Sequence, residues 1–262
     1  MELKLDLHLH SAASPDGRMT VEQIVAEARA KGLNGVAVTD HNVRYLPADP
    51  ADAARGMEIL DDGFILIAGE EFYTEYGHLL GLFLREAIPT DYDRGGPFNA
   101  RLPLAEAVER IHAQGALAVL AHPFEKAPAE EELLDALPLL DAVEGFNGRA
   151  AAKHPDANDR AAAFAAANGL PVTAGSDAHL PREVGNGYLV LNVEARTPEA
   201  VKAAILRTGN PIHGREGRRT DAARSQATKL RRTHASPLRW GKWSLYAARC
   251  LWRDLTRKRK SL

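Results

Sequence analysis

Short apolar runs, rich in leucine and β-branched residues, alternate in the first 213 residues with stretches whose apolar positions recur at helical spacing. This alternation is typical of βα-repeating folds. Strands are predicted over 3–10, 35–40, 64–71, 117–123, 141–147, 171–179 and 188–193. Helices are predicted over 20–32, 52–60, 102–115, 131–140, 154–169 and 197–209, the first capped by Thr20 and the last by Thr197. We therefore expect an α/β fold with a barrel-like sheet.

Polar residues with metal-binding chemistry stand where these predicted strands end. In a β/α barrel the carboxyl ends of the parallel strands gather at one rim, so we expect these side chains to lie close together. They are His8 and His10, then Asp40 and His41, Glu70 and Glu71, His122, and finally Asp177 and His179.

His78 begins an apolar run instead of ending one. Only residues 72–77 separate it from Glu71, which is too few for a helical crossover, so the connection must be a hairpin. The first residue of an antiparallel strand lies beside the last residue of its neighbour. His78 is therefore predicted to join the same rim.

The spacing of the histidines favours chelation. Side chains two positions apart on a strand point the same way, so His8 and His10 present two imidazoles to one face. Asp177 and His179 do the same if their strand extends that far. Histidines and carboxylates without cysteine suit several divalent ions. The sequence has no serine in a GxSxG turn, and its one cysteine, Cys250, lies near the end.

Composition excludes other classes of protein. Hydrophobic residues make up 45% and charged residues 26% of the 262 positions, so neither a disordered nor a membrane-spanning chain is expected. The first ten residues, MELKLDLHLH, do not resemble a signal peptide. Together with the single cysteine, these features predict a cytoplasmic protein without disulfides.

Charge divides the chain into two parts. The formal net charge is −2, yet residues 215–262 contain fifteen Lys or Arg and three acids, so the preceding part is strongly acidic. All three tryptophans, Trp240, Trp243 and Trp252, lie in the basic part. We predict a barrel domain over 1–213, a poorly ordered linker over 214–237 and a basic amphipathic helix over 238–262.

The basic helix has three possible roles. It could lie on an anionic membrane surface, dock on the barrel or another subunit, or attract nucleic acid. Its predicted apolar face carries Trp240, Trp243, Ala247, Cys250, Leu251 and Leu255, and the opposite face Lys242, Arg249 and Arg253. This arrangement slightly favours the membrane, which would place the protein peripherally at its inner face.

Seven short motifs, DLHLHS, SPDG, TDHN, GEE, GHLLG, AHP and GSDAH, follow one another along residues 3–213. Their order and spacing resemble those of the polymerase and histidinol phosphatase (PHP) domain family. The resemblance implies a distorted seven-stranded β/α (TIM-like) barrel. It also implies up to three divalent metal ions and hydrolysis of phosphoester bonds.

The resemblance further implies which residues hold each ion. One ion would be held by His8, His10, Glu71 and Asp177, a second by Glu71, His78 and His122, and a third by Asp16, His41 and His179. Many relatives have histidine where this chain has Asp16. The candidate catalytic residues are Glu71, Asp177 and His179.

Two assignments remain open at this stage. Glu70 and Glu71 point in opposite directions along a strand, so one can be a ligand while the other faces away; the resemblance favours Glu71. Asp6 and Asp40 stand just before ligand positions. Each either orients an imidazole from behind or only stabilises the fold.

The donor set also predicts the reaction. Metal ions about 3.5–4 Å apart would activate a hydroxide for attack on phosphorus and neutralise the phosphate oxygens. His179 or a metal-bound water would stabilise the leaving oxygen. Arg149 and Arg182 follow strand ends and are candidate phosphate contacts, each with an ordinary surface arginine as the alternative.

The substrate, the ions and the oligomeric state are not determined by these patterns. Small phosphomonoesters, nucleotides and the ends of short oligonucleotides all suit the site, and Zn, Mn or Fe all suit its ligands. Some relatives carry an insertion between the positions of His78 and His122, so the resemblance implies a comparatively open site here. The loop over 93–103 either covers that site or is a passive connector. An amidohydrolase-like enzyme is one alternative, and it is disfavoured because no lysine ends a strand before Lys126. An inactive metal-binding module is a second alternative, which is also disfavoured.

Overall fold

A sheet of ten strands forms the centre of the protein, which a computed structural model describes over residues 1–126 and 130–256. The strands are β1 (Glu2–Leu9), β2 (Gly35–Val38), β3 (Met57–Ile59), β4 (Ile65–Thr74), β5 (Gly77–Leu82), β6 (Leu117–Ala121), β7 (Ala142–Asn147), β8 (Val172–Gly175), β9 (Gly187–Asn192) and β10 (Ile212–Gly214).

Helices follow most of the strands. They are α1 (Val21–Ala30), α2 (Pro50–Ala53), α3 (Leu104–His112), α4 (Glu131–Leu134), α5 (Gly148–Lys153), α6 (Ala157–Ala167), α7 (Pro198–Ile205), α8 (Arg219–Arg232) and α9 (Pro237–Thr256). Short 3-10 helices occupy Asp91–Arg94, Leu137–Leu139 and Pro181–Glu183.

The sheet is a nearly closed barrel. Its strand order is β10-β9-β1-β2-β4-β5-β6-β7-β8, with β3 paired to β4. The residues after β8 close the circle against β1, because the His10 amide donates to the Ala178 carbonyl at 2.8 Å and the Asp177 amide donates to the His8 carbonyl at 2.7 Å. The predicted α/β barrel is confirmed. The sheet has ten strands where the resemblance implied seven. The strand over 188–193 and the hairpin strand at His78 were predicted and correspond to β9 and β5, whereas the short strands β3 and β10 were not predicted.

A register shift in β1 positions its polar end. Leu3, Leu5 and Leu7 are buried in the barrel interior, and the pairing with β2 shifts between Asp6 and Leu9. Beyond the shift, Leu9 packs in the cluster that contains the apolar side of α1. Irregularities of this kind re-aim side chains at barrel rims.

The local signals at helix ends are mostly confirmed. Thr20 and Gln23 form a capping box at the start of α1, and Thr197 caps α7 through the amide of Ala200. The predicted helix over 52–60 is wrong, since α2 ends at Ala53 and the chain turns into β3. Gly56 adopts a positive φ of 68°, and a Cβ there would lie 2.3 Å from the Phe83 carbonyl oxygen.

The predicted linker over 214–237 contains a helix. Residues Arg219–Arg232 form α8, which is rich in alanine, arginine and other residues of good helix propensity. Its first turn is capped from α9, since the amides of Arg219 and Thr220 donate to the Asp254 carboxylate at 2.9 and 3.0 Å. A poorly ordered linker is therefore the wrong description of this segment, because its cap lies more than thirty residues downstream.

One side of α9 docks on the chain itself. The indole N–H of Trp243 donates to the Ala223 carbonyl of α8 at 2.8 Å, and Cys250 is buried. Leu251 and Leu255, predicted on the same face, are instead 54% and 78% exposed. Docking of α9 on α8 is therefore observed, whereas docking on the barrel or another subunit and a membrane role for the exposed side stay predictions.

Residues 257–262, the end of the predicted tail, lie outside the described part of the chain. Among the helices in the described ranges, none combines the length and the apolar character that crossing a bilayer requires.

The cap on α8 gives a first test. We expect Asp254→Ala to destabilise the first turn of α8 by about 0.5–2 kcal/mol, the usual value of a helix cap, because two amides lose their acceptor. Hydrogen exchange of residues 219–223 should accelerate. Asp254→Asn, which keeps one acceptor oxygen, should have a smaller effect, and Ser244→Ala on the exposed side of α9 should have none. Unchanged exchange in Asp254→Ala would contradict the capping role.

Candidate metal centre

Two imidazoles at the end of β1 form the base of the site. His8 and His10 are both fully buried, and their Nε2 atoms lie 3.3 Å apart, which agrees with the direction predicted from their spacing. The close approach of β8 requires Gly175, since a Cβ there would lie 2.3 Å from the His8 Cβ.

Glu71 lies at the centre of the site. Its Oε1 is 2.7 Å from His78 Nδ1, 3.1 Å from His122 Nε2 and 3.5 Å from His8 Nε2. Its Oε2 is 2.7 Å from His41 Nδ1 and 3.4 Å from His10 Nε2. One carboxylate therefore faces two groups of imidazoles, one with each oxygen.

The β4–β5 hairpin brings His78 to this position. Tyr73 pairs with His78, and His78 pairs in turn with Ala121 at the end of β6. The predicted hairpin is thus present, and His78 and His122 approach Glu71 from neighbouring strands.

Glu70 faces the other way. Its side chain is 2% exposed in total, its Oε2 has no hydrogen-bond partner among the described residues, and burial, reinforced by Asp93, raises its pKa well above the usual range. A carboxyl group in that setting is stable in its protonated form. Glu71 is accordingly the member of the pair that reaches the imidazoles.

Asp16, His41 and His179 lie on the other side of the site. Asp16 Oδ1 is 3.4 Å from His179 Nε2 and 3.9 Å from His41 Nε2. The loop can fold this tightly because Gly17 has no side chain, as a Cβ would lie 1.8 Å from the Ser11 carbonyl oxygen.

Four of the histidines are held from behind through Nδ1. The partners are Glu144 Oε1 for His8 (3.0 Å), Ser14 Oγ for His10 (3.1 Å), Glu125 Oε2 for His122 (3.3 Å) and the Asp177 carbonyl for His179 (2.9 Å). When Nδ1 carries the hydrogen in such a contact, Nε2 keeps a lone pair directed at the site. This is the tautomer that a metal ligand requires.

Asp6 and Asp40 do not touch the imidazoles. Asp6 accepts hydrogen bonds from the amides of Ser176 and Gly185 at 2.9 Å each, so it stabilises the loop after β8. Asp40 accepts the Ser14 hydroxyl at 2.6 Å, and Ser14 contacts His10. Of the two alternatives left open by the sequence, direct orientation of an imidazole is not observed for either residue. Asp6 supports the fold, and Asp40 acts on His10 through Ser14.

The electrostatics keep the carboxylates ionised despite burial. Burial opposes ionisation of Glu71, but the surrounding imidazoles, His78 first, hold its pKa well below the usual range. The same balance lowers the pKa of Asp177, where His8 is the largest counteracting charge.

Unpartnered buried atoms test whether metal ions fit here. Asp16 Oδ1 and His78 Nε2 are buried without a hydrogen-bond partner among the described residues, and so are His41 Nδ1 and Glu71 Oε2, which lie 2.7 Å apart but outside hydrogen-bonding geometry. Leaving such an atom unsatisfied costs about 1–3 kcal/mol. All four belong to the predicted ligand set, and imidazole nitrogen and carboxylate oxygen are donors that divalent transition metals accept. The residues present therefore fit bound cations.

Two of the predicted ligands stand on unusual backbone. His122 and Asp177 have positive φ angles of 29° and 53°, a region that non-glycine residues seldom adopt. Each amide is held in place: His122 donates to Glu144 Oε2 at 2.9 Å, and Asp177 donates to the His8 carbonyl at 2.7 Å. Backbone strain held by surrounding contacts is characteristic of functional sites.

A cavity of about 280 Å³ opens above the imidazoles. The predicted loop over 93–103 contributes Phe98 and Asn99 to its wall, and α8 contributes Gln226 and Lys229. The expectation of an open site is thus modified, because the chain's own C-terminal region covers part of the mouth.

Both arginines predicted to contact phosphate are paired with carboxylates of the protein. Arg149 lines the cavity, but its guanidinium makes two bonds to Glu183, at 2.9 and 3.0 Å, and donates to Ser225 at 3.0 Å. Arg182 pairs with Asp221 of α8 and is not among the lining residues. The expectation for Arg182 is corrected, since the carboxylate of α8 draws it away from the site.

The sequence analysis missed several functional groups. Glu144 contacts His8 and the backbone of His122, and Asn147 donates to Glu144 at 3.0 Å. The sequence signal for Glu144 was its acidic side chain inside the otherwise apolar strand β7. Glu125, three residues after His122, pairs with both His122 and Lys153, and Lys229 was hidden in the predicted linker.

Comparisons with known proteins agree with these motifs. A model of the PHP domain matches residues 6–121, and a model of the PHP-associated segment matches residues 155–208. A protein of Methanocaldococcus jannaschii is 32% identical over 202 residues, which is 73% of this chain and 73% of its relative. A probable histidinol-phosphatase of Thermotoga maritima is 27% identical over 211 residues, 70% of this chain and 87% of that protein.

Two solved structures share the fold. The lesion-specific endonuclease PfuEndoQ of Pyrococcus furiosus matches 81% of this chain with a TM-score of 0.55 and 23% identity, and the chain spans 58% of that structure. PsfC of Pseudomonas syringae matches 89% of this chain and 98% of its own, with a TM-score of 0.56 and 17% identity.

The opposite directions of the two glutamates give a second test. We expect Glu71→Gln to lose at least one bound metal ion per chain, because the central charge that faces both groups of imidazoles is removed. Elemental analysis of the purified variant measures this. Glu70→Gln is the matched control, identical in chemistry and one residue away, and it should keep the full metal content. Equal metal loss in both variants would rule out the assignment to Glu71.

Proposed function

The chain belongs to the PHP domain family and is a metal-dependent phosphoesterase, and from this premise we propose that it hydrolyses phosphomonoesters at a cluster of up to three divalent ions. The observation that carries the proposal is the position of Glu71, whose two oxygens face five imidazole nitrogens. Zinc, manganese and iron all suit this donor set.

We assign the ligands in three groups. His8, His10, Glu71 and Asp177 hold one ion, Glu71, His78 and His122 a second, and Asp16, His41 and His179 a third. Geometry supports the first group, since ligand atoms of His8, His10 and Asp177 lie within 4.8 Å of one another and His10 Nε2 is 3.4 Å from Asp177 Oδ1. When bound, divalent ions supply a nucleophile at neutral pH and neutralise charge on the phosphoryl oxygens.

Cations at the cavity wall suit a phosphorylated substrate. Lys126, Lys153 and Lys229 line the same cavity as the ligand residues. Lys153 is paired with Glu125, whereas no carboxylate lies within ion-pair distance of Lys229 in the described part of the chain. An unpaired ammonium at the mouth can bind a phosphate oxygen that the ions leave free.

His179 has one ring nitrogen available to substrate or ion. Its Nδ1 is taken by the Asp177 carbonyl at 2.9 Å, and its Nε2 is 3.4 Å from Asp16 Oδ1. A nitrogen that binds an ion cannot at the same time protonate a leaving oxygen. We propose that Nε2 serves as a ligand, so that the proton for the leaving oxygen comes from another group.

The proposed reaction predicts metal-dependent phosphate release from an aryl phosphate at neutral pH. The double variant His8→Ala, His10→Ala should lose at least about 100-fold in rate, more than the loss typical of outer ligand-orienting residues, because two ligands of one ion are removed. Phosphate release assayed with added Mn or Zn measures this. A rate unchanged by the double substitution, or by chelators, would defeat the proposal.

The role of His179 predicts a leaving-group pattern. A lost ligand slows aryl and alkyl phosphates alike, whereas a lost acid slows chiefly the alkyl ester, whose leaving oxygen needs a proton. We expect His179→Ala to slow both esters by similar factors and to lower the metal content. A selective loss on the alkyl ester with full metal content would assign His179 as the acid instead.

A further inference from the structure

A second cavity adjoins the one above the imidazoles. It has a volume of about 670 Å³ and lies between the segment around Tyr92 and Phe98, the loop after β1, and the side of α8 that carries Lys229 and Arg232. Phe98, Asn99 and Lys229 line both cavities. The two cavities are therefore adjacent and share part of one wall, and we call the second one the α8 groove.

The walls of the α8 groove combine cations with aromatic rings. Lys229, Arg232 and Arg239 supply positive charge, and Tyr92 and Phe98 supply rings. Among the described residues that line it, none is acidic. This combination, positive charge for phosphates and rings for bases, is how single-stranded nucleic acid is bound without sequence preference.

Lys229 stands at the junction of the two cavities. Its Nζ lies 3.6 Å from the centroid of the Phe98 ring. Of the other cations near the metal site, Arg149 is paired with Glu183 and Lys153 with Glu125. Lys229 is half-buried, and its close contact among the described residues is the Phe98 ring. Its positive charge is therefore free to bind an anion.

Arg232 fixes the position of α8 beside the site. Its Nη1 donates to the carbonyls of Ala12 at 3.1 Å and Ser14 at 2.7 Å, in the loop that leads to Asp16. The helix lies outside both segments that match the family models, 6–121 and 155–208. The wall that α8 gives to the groove is thus not described by either family model, whereas Tyr92 and Phe98 lie within the first of them.

We propose that the α8 groove binds the nucleotide next to the reacting phosphate of a short single-stranded oligonucleotide, with phosphates on Lys229 and Arg239 and a base against Phe98 or Tyr92. The volume lies within the range of about 300–1,000 Å³ typical of small-ligand pockets. The inference rests on the proposed function, because it names the substrate class of the same site.

The test measures binding separately from hydrolysis. The metal-loaded full chain is titrated into a fluorescent single-stranded hexanucleotide with phosphorothioate linkages, which resist hydrolysis, and anisotropy gives Kd at several salt concentrations. Arg239→Gln should weaken binding and reduce the slope of log Kd against log salt by about 0.7, the value of one phosphate contact on a single strand. Tyr92→Ala or Phe98→Ala should weaken binding by about 5- to 150-fold with the slope unchanged, as expected for a lost stacking contact.

Arg231→Gln is the matched control. Arg231 is exposed near the end of α8, eight residues before Arg239 of α9, carries the same charge and does not line either cavity. This variant should bind the hexanucleotide with the affinity of the unmodified chain. An equal effect of Arg231→Gln and Arg239→Gln would reduce the interaction to general attraction by the basic segment and overturn the proposal.

The remaining outcomes distinguish the two proposals. Phosphate release from an aryl phosphate without hexanucleotide binding would overturn the groove assignment and leave the phosphoesterase site intact. Arg239-dependent binding without any phosphate release would support the groove and contradict the proposed reaction. Arg239-dependent binding of phosphatidylserine vesicles without hexanucleotide binding would assign the surface to lipid and overturn the proposal.

Discussion

The burial of one carboxylate among imidazoles is the constraint on which the site depends. Glu71 is 1% exposed, and nitrogen atoms of five histidines surround it within 3.5 Å. A charge removed so fully from water is stable only beside compensating positive charge. Bound cations would supply that charge and would also take up the buried nitrogen and oxygen lone pairs that no hydrogen bond satisfies. In the proposed site, the carboxylate, the rings and the ions form one electrostatic unit, in which each component lowers the cost of burying the others.

The barrel is closed by the same residues that serve this unit. The His8 carbonyl accepts the Asp177 amide, while the His8 ring is held by Glu144, which also accepts the His122 amide. The positive φ angles of His122 and Asp177 are stabilised by these two amide bonds. Fold and function are thus coupled at the rim, because the contacts that hold strained ligand backbone also join the first and last strands of the circle.

Sequence reasoning succeeded where the information is local. Alternation along a strand places His8 and His10 on one face, and a connection of six residues forces the hairpin that brings His78 beside them. It failed where distant residues decide. The segment before β3 turns out of a helix at Gly56 because Phe83, remote in sequence, packs against it. Likewise, α8 gains its N-terminal cap from Asp254, so no window of sequence around 214–237 contains that signal.

Glu144 illustrates a different limit of sequence reasoning. Its position in β7 could be predicted from the sequence. Its role could not, because that role depends on the arrangement of three strands, in which it joins His8 to the backbone of His122. Arg149 shows the converse case. Its place on a rim loop was predictable, yet its bonds join it to Glu183 in the loop after β8 and to Ser225 of α8, two segments remote in sequence.

The uneven distribution of charge has a structural explanation in this arrangement. Within the basic segment, α8 lies against the rim of the acidic barrel, where the ligand carboxylates are concentrated. Arg232 of this helix binds the loop beside Asp16. Positive charge beside a cation cluster is unfavourable unless an anion lies between them. Ligand carboxylates provide part of that negative charge, and a substrate phosphate would provide the rest. A cleft of this sign also raises the encounter rate with anionic substrates and loses that advantage at high salt. After folding, the positive charges of α8 therefore face the negative carboxylates at the barrel rim. The space between them suits an anionic ligand.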